Sequence, residues 1–160
     1  MIKLLNPHYA IRTATATDSE VLLAMWQKID KEGEPRPFGG DTKDKPQRTR
    51  EIIEHALTSP QATLLVCTHQ QMIVGTITGH CFDKPAVDLT PVGVIYSLWV
   101  EPQYRRQGIA QHLLTHLEKT LNTMGAKATQ VGWDTTNTTA AQWWQAQGYA
   151  PYETIASKAL

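Results

Sequence analysis

The sequence predicts a mixed α/β domain in which a mostly antiparallel sheet is flanked by helices. Three β-branched, apolar runs follow one another between residues 62 and 100: "ATLLVCTH", "MIVGTITGHCF" and "VGVIYSLWV". Only "QQ" and an Asp/Pro-containing segment separate them, as in an antiparallel meander. From Gly108 the apolar residues Ala110, Leu113, Leu114, Leu117, Leu121 and Met124 recur at three and four, the period of a helix with one buried stripe. "ATQVGW" then reads as another strand. Strand, long helix, strand is a right-handed crossover between parallel neighbours, so the sheet is mixed.

The remaining elements follow in order. Residues 9 to 14 read as a first strand, and Thr17 with Glu20 has capping-box spacing at the start of a helix over Asp18 to Asp30, with Leu22, Met25 and Ile29 inward. "KEGEPRPFGGDTKDK" cannot sustain a helix or a central strand and reads as a long loop. Pro46 suits the first turn of a second helix, which would bury Ile52, Ile53, Ala56 and Leu57 and stop before Pro60. Gly125 caps the long helix. "NTTAAQWWQAQ" reads as a last helix ended by Gly148, and "YAPYETIAS" as a closing strand.

The 160 residues fit one domain, taken as 1–160. Acids and bases balance at 15 each, so no basic field points to nucleic acid or an anionic membrane. The partner expected is small or locally recognised. Cys67 and Cys81 lie in strand patterns without metal-ligand spacing and read as buried, reduced thiols. The N-terminal apolar stretch is too short for a signal peptide and no later run approaches a membrane span, so the expectation is a cytoplasmic protein.

The functional signal is "VEPQYRRQGIAQHLL", residues 100 to 114, where donors crowd the start of the long helix. A first helical turn leaves backbone N–H groups unpartnered, and the helix dipole adds positive potential there. Gly108 admits close backbone approach and Arg105 and Arg106 add cationic donors, so "RRQGIA" can cradle a phosphate or pyrophosphate. The bland alternative is a surface turn that carries arginines. Neither the Walker loop nor G-x-G-x-x-G occurs.

"IYSLWVEPQYRRQGIAQHLLTHLEK" resembles motif A of the GCN5-related N-acetyltransferases, (Q/R)-x-x-G-x-(G/A) after a strand ending in l-x-V-x-P-x-y-R. Arg105, Gly108 and Ala110 take the hallmark positions, after Leu98, Val100, Pro102 and Tyr104. "NTTAAQWWQAQGY" resembles motif B through Asn137, Ala140, Gly148 and Tyr149, and "IRTATATD" resembles the family's opening strand and turn. The resemblance implies two parallel strands that splay apart near Val100 and Trp133. It implies acetyl-CoA as co-substrate, with pyrophosphate on the amides from Arg106 through Gln107, Gly108, Ile109 and Ala110 to Gln111. The pantetheine arm would lie along Leu98, Trp99 and Val100, near Asn137. The resemblance also implies direct transfer of the acetyl group to a primary amine. Asn137 equally reads as an N-cap.

Where many members carry a motif-B tyrosine to protonate the departing thiolate, this chain has Trp144, whose indole is no acid. Trp144 packs on pantetheine or fills the core. Tyr96 is the substitute acid, placed by simple alternation on the face of Leu98 and Val100, against the alternative of an ordinary strand tyrosine. Asp134 is the candidate base, against an Asx-type turn into "TTN". His112 and His116 have zinc-compatible spacing but no third ligand and read as solvated, and His80 reads as an ordinary strand histidine. No metal is expected. In segment 30 to 44, Asp30, Glu32, Glu34, Asp41 and Asp44 outnumber Lys31, Arg36 and Lys43, which favours a small cationic acceptor. A protein lysine or N-terminal amine, a non-catalytic acyl-CoA-binding module and a homodimer stay open.

Overall fold

The computed structural model describes residues 8–32, 45–82 and 91–156. It is a single mixed α/β domain whose five-stranded sheet has the order β1-β2-β3-β4-β5. The strands are β1 (Tyr9–Thr13), β2 (Ala62–His69), β3 (Met72–Phe82), β4 (Val92–Val100) and β5 (Ala128–Val131). The first four are antiparallel neighbours, and β5 joins β4 in parallel after a crossover. Four helices flank the sheet: α1 (Ser19–Glu32), α2 (Lys45–Thr58), α3 (Ile109–Thr123) and α4 (Thr138–Ala146).

Alternation divides β3 between two cores. Ile77 faces α3 with Leu113, Leu117 and Leu121, all fully buried. Gly75 and Gly79 stand on the same face because residues two apart share a side. A Cβ at Gly79 would lie 2.9 Å from Leu117 Cδ1 and 3.0 Å from Leu121 Cδ1, and one at Gly93 of β4 would lie 2.9 Å from Leu121 Cδ1. The absent side chains therefore let α3 seat directly on the strands. The opposite face packs on α1 and α2 through Leu22, Met25, Trp26, Ile53 and Ala56, with Leu64 and Val66 from β2.

Local chemistry sets the helix ends. Asp18 Oδ2 accepts from the Thr15 N–H at 2.8 Å and from the Thr15 hydroxyl at 3.1 Å. The carboxylate that reaches back is thus Asp18, not Glu20, and α1 starts at Ser19 and continues to Glu32. Gly125, at φ 104°, ends α3 while Ala126 N–H bonds to Leu121 C=O at 3.0 Å. Gly148, at φ 94°, does the same for α4 with Tyr149 N–H on Trp144 C=O at 3.1 Å.

The structure corrects several expectations. Ile52 is half exposed and Leu57 only partly covered, because the inward stripe of α2 runs Thr49, Ile53, Ala56. β5 stops at Val131, since its pairing with β4 ends at Ile95 and Gly132–Trp133 have no ladder to join. Residues 149–156 form no strand: Pro151 lacks an N–H, residues 150–156 are exposed, and Tyr149 turns inward to bond Thr129 at 2.8 Å and Glu118 at 2.7 Å. Of the long 31–45 segment, 31–32 and 45 are helical and 33–44 lie outside the described residues. Glu34, Arg36, Asp41, Lys43 and Asp44 fall there.

Candidate active site

The site begins where two parallel strands part. β4 and β5 pair from Val92↔Ala128 to Ile95↔Val131 and no further, while β4 continues to Val100 on β3, with Trp99↔Thr76 and Val100↔Gly75. From residue 96 onward no strand among the described residues lies beside the β5-side edge of β4, so an extended ligand can use its backbone groups.

Past β4, a short 3-10 turn over Pro102–Tyr104 leads into the donor-rich loop. Arg106 and Gly108 are both left-handed, at φ 63° and 86°. Left-handed geometry is a cost for arginine and none for glycine, and it folds successive amides toward one side. The first α-helical bond is His112 N–H to Gly108 C=O at 3.1 Å, so the amides of Ile109, Ala110 and Gln111 precede the ladder. Unladdered amides with the α3 dipole behind them have the chemistry to accept an anion. Ile109 itself is buried against Gly75, so only its backbone is offered.

Side chains pin this loop from both sides. The Tyr9 hydroxyl donates to Gln107 Oε1 at 2.6 Å, tying the loop to β1. Arg105 turns away from the cradle: its Nε donates to Val100 C=O at 2.9 Å, its guanidinium lies 4.7 Å from the Trp99 ring centre, and its terminal nitrogen reaches Glu32 of α1 at 3.2 Å. Lys28 of α1 reaches Glu101 at 2.7 Å.

Tyr96 departs from its expected placement. Between Thr76 and Thr78 the β3–β4 register shifts, with Trp99 opposite Thr76 and Tyr96 opposite Thr78, and Ser97 sits at φ 55°. The bulge breaks alternation. Leu98 and Val100 therefore join the α3 core, while Tyr96 and Trp99 face α1 and α2, with Tyr96 edge-on to Trp26 at 6.1 Å between ring centres. Burial raises the Tyr96 pKa, which keeps it a proton donor rather than a base.

That face carries a feature not read from the sequence. Five buried side-chain polar atoms have no hydrogen-bond partner among the described residues, and four belong to Trp26, Thr76, Thr78 and Trp99. Each such atom costs about 1–3 kcal/mol when left unpaired. The alternation of threonine with glycine and isoleucine in "GTITGH" was its visible signal.

The other candidates take plainer positions. Asp134 Oδ1 accepts from the Thr136 N–H at 2.8 Å and hydroxyl at 2.5 Å, an Asx turn. Asn137 caps α4, accepting from Ala140 N–H at 3.0 Å. Trp144 is buried in the α3 core, edge-on to Trp143 at 4.8 Å and Tyr149 at 5.1 Å. His116 bonds the His112 carbonyl at 2.8 Å, and His80 stacks on His55 at 5.9 Å. Cys67 and Cys81 are buried, and burial pushes the Cys67 thiol up to about 11.

Comparison with known proteins agrees with this geometry. The aminoglycoside N-acetyltransferase AAC(6')-Iy, solved with CoA, superposes with a TM-score of 0.79 at 16% identity, over 98% of this chain and 99% of that one. A GCN5-related N-acetyltransferase from Ralstonia eutropha JMP134 gives 0.81 at 15% identity, over 94% and 98%. A predicted acetyltransferase from Clostridium acetobutylicum, solved with acetyl-CoA, gives 0.78 at 16%, over 94% and 96%. At these identities the likeness is one of fold. The family model for the acetyltransferase (GNAT) family matches residues 23–149, most of the chain, and the protein therefore belongs to that family.

Proposed function

We propose that the protein is an acetyl-CoA-dependent N-acetyltransferase that moves an acetyl group directly to a primary amine of a small, cationic acceptor. The observation that carries this reading is the parting of β4 and β5 after Ile95 and Val131, beside the unladdered amides of Ile109, Ala110 and Gln111. A CoA thioester fits these residues: its pyrophosphate suits the cradle, and its extended arm suits the open edge of β4 at Leu98, Trp99 and Val100. Solved aminoglycoside acetyltransferases share the fold, which favours a small acceptor over a protein lysine.

In the reaction the neutral amine nitrogen forms a bond to the thioester carbon and the carbon–sulfur bond breaks. The amine loses a proton and the thiolate gains one. A strand N–H near the Ser97 bulge would face the developing oxyanion, a contact worth on the order of 10²–10³ in rate. Tyr96, kept protonated by burial, is the chain's proton donor. We assign Asp134 to the turn that sets Asn137 rather than to proton abstraction, because Oδ1 already holds two donors. No acetyl-enzyme is needed: both cysteines are buried, and a thiol with a pKa of about 11 is a poor nucleophile at neutral pH. The Cys67→Ser/Cys81→Ser variant should keep acetylating.

Release of CoA thiol from acetyl-CoA with a panel of amines tests the activity, and titration of a Gly108 variant tests the cradle. Gly108→Asn is the informative change, since asparagine tolerates the left-handed backbone while its side chain intrudes on the anion's approach. CoA affinity should fall at least about tenfold with little loss of stability. Unchanged affinity removes the cradle, and CoA binding without thiol release for any amine leaves a binding module.

A further inference from the structure

We propose that Tyr9 is a positioning residue for the acyl donor: with His69 and Tyr104 it brackets residues 106–111, and so sets how tightly acetyl-CoA binds rather than how fast the acetyl group is transferred. This deepens the N-acetyltransferase reading and rests on it. The run needs such a support. Among the described residues, none of the backbone amides from 106 to 111 bonds to a backbone carbonyl, and the amide just before them, Arg105 N–H on Pro102 C=O at 3.2 Å, closes the 3-10 turn. Within the run Arg106 stands at φ 63°, a geometry that a non-glycine residue keeps only where its surroundings impose it.

The support comes from the sheet. Tyr9 and His69 are partners in the β1–β2 ladder, with ring centres 4.9 Å apart. Tyr104, the last residue of the 3-10 turn, completes the triangle at 5.5 Å from His69 and 6.4 Å, edge-on, from Tyr9. His69 serves by its ring, since its Nδ1 is buried without a partner among the described residues. From this base the Tyr9 hydroxyl donates to Gln107 Oε1 at 2.6 Å, and Gln107 stands between the two left-handed positions, Arg106 and Gly108. Fixing Gln107 therefore restrains both of its neighbours.

The consequence is one of readiness. A ligand that must first order its loop binds more weakly by the fraction of molecules already in the competent form. The pyrophosphate meets the same loop before and during acetyl transfer, so the bracket acts equally on ground state and transition state. Its loss then raises KM and leaves kcat in place. The Tyr9–Gln107 bond is open to solvent, so the factor is modest, about three- to tenfold.

Tyr9→Phe is the test, because it keeps the ring on His69 and Tyr104 and removes only the hydroxyl. In the free protein, nitrogen-15 relaxation should show the backbone order parameters of residues 106–111 falling from about 0.85 toward 0.6. The CoA Kd from calorimetric titration and the acetyl-CoA KM should each rise about three- to tenfold, with kcat within about twofold of wild type. Gln107→Leu should do the same, and the double variant should be no worse than either single one, because both delete one bond. Gln107→Glu keeps an acceptor for the hydroxyl and should keep the free loop ordered. Unchanged order parameters and CoA affinity in Tyr9→Phe overturn the inference, as does a double variant whose loss is the product of the two single losses. A lowered kcat at unchanged KM overturns it too, since Tyr9 would then act on the transfer itself. CoA binding that weakens as expected in Tyr9→Phe, without thiol release from wild type for any amine, keeps the bracket and removes the activity instead.

Discussion

The two faces of the sheet are built on opposite terms. Toward α3, glycines at 75, 79 and 93 bring leucines onto the strands, and Leu113, Leu117 and Leu121 are wholly buried. Toward α1, the strands carry threonine and tryptophan whose buried polar atoms have no partner among the described residues, and the helix is tied at its end by ion pairs in which Glu101 is largely covered and the other three side chains are open to solvent. The first face gains from every contact, and the second carries unpaired groups. The difference leaves α3 seated closely on the strands behind the proposed cradle, whereas the layer under α1 carries polar groups among its buried apolar ones. The two faces meet along β4, whose bulge at Ser97 sends Leu98 to one and Tyr96 to the other.

The sharpest way to break this contrast is to crowd the rigid face. Gly79→Val places its Cβ 2.9 Å from Leu117 and 3.0 Å from Leu121, so α3 must lift or the leucines leave their rotamers. A loss of about 2–3 kcal/mol is expected, measured by denaturant unfolding, together with weakened CoA binding as the cradle shifts with the helix. A loss below about 0.5 kcal/mol would show that α3 is not closely seated.

Asp18 comes next, on the α1 side, where it fastens the entry to that helix. The Arg12 guanidinium, bonded at 2.7 and 2.9 Å, holds the Asp18 carboxyl down at about 2 from an ordinary 3.8, with help from Thr15. A depressed carboxylate stabilises fully above its unfolded value and loses that contribution as pH falls through the folded one. Wild type should thus lose on the order of 1–2 kcal/mol between about pH 4 and pH 2. Asp18→Asn should already lack it at neutral pH and show a flatter acid profile.

Residue patterns carried the sheet, its order of elements, the long helix and the anion loop, because alternation, 3.6-residue periodicity and glycine punctuation are local signals. The failures share a cause. Tyr96 was assigned by alternation, which a bulge defeats without leaving a mark in "IYSLWV". "YAPYETIAS" reads as a closing strand, but a strand needs a partner, and none of the described residues pairs with 149–156. The side-chain contacts of Arg105 with Val100, Trp99 and Glu32 are tertiary and are not encoded by motif spacing.

Trp144 sharpens the α3 side more gently. Trp144→Phe keeps an aromatic plane against Trp143 and Tyr149 and leaves a small void in a buried position, so stability should fall by about 1–2 kcal/mol. Turnover should change by less than about tenfold, since an indole packed in the core does no proton chemistry. A loss of about 10² in kcat at unchanged KM would place its N–H in the transition state.

The smallest effect should come from the clasp itself. Lys28→Met removes the charge that meets Glu101 at 2.7 Å while keeping most of the aliphatic stem, and the lysine side chain is 49% exposed. An ion pair that solvent reaches contributes a few tenths to about 1 kcal/mol, and salt screens it. Unfolding of the variant should therefore differ from wild type by no more than that, with the difference shrinking as ionic strength rises. The comparison of faces gives this small number its meaning. If α1 is held by its buried stripe rather than by its rim, loosening the rim should barely touch global stability. A destabilisation of 2 kcal/mol or more, insensitive to salt, would mean that α1 is held as firmly as α3, and the contrast between the faces would collapse.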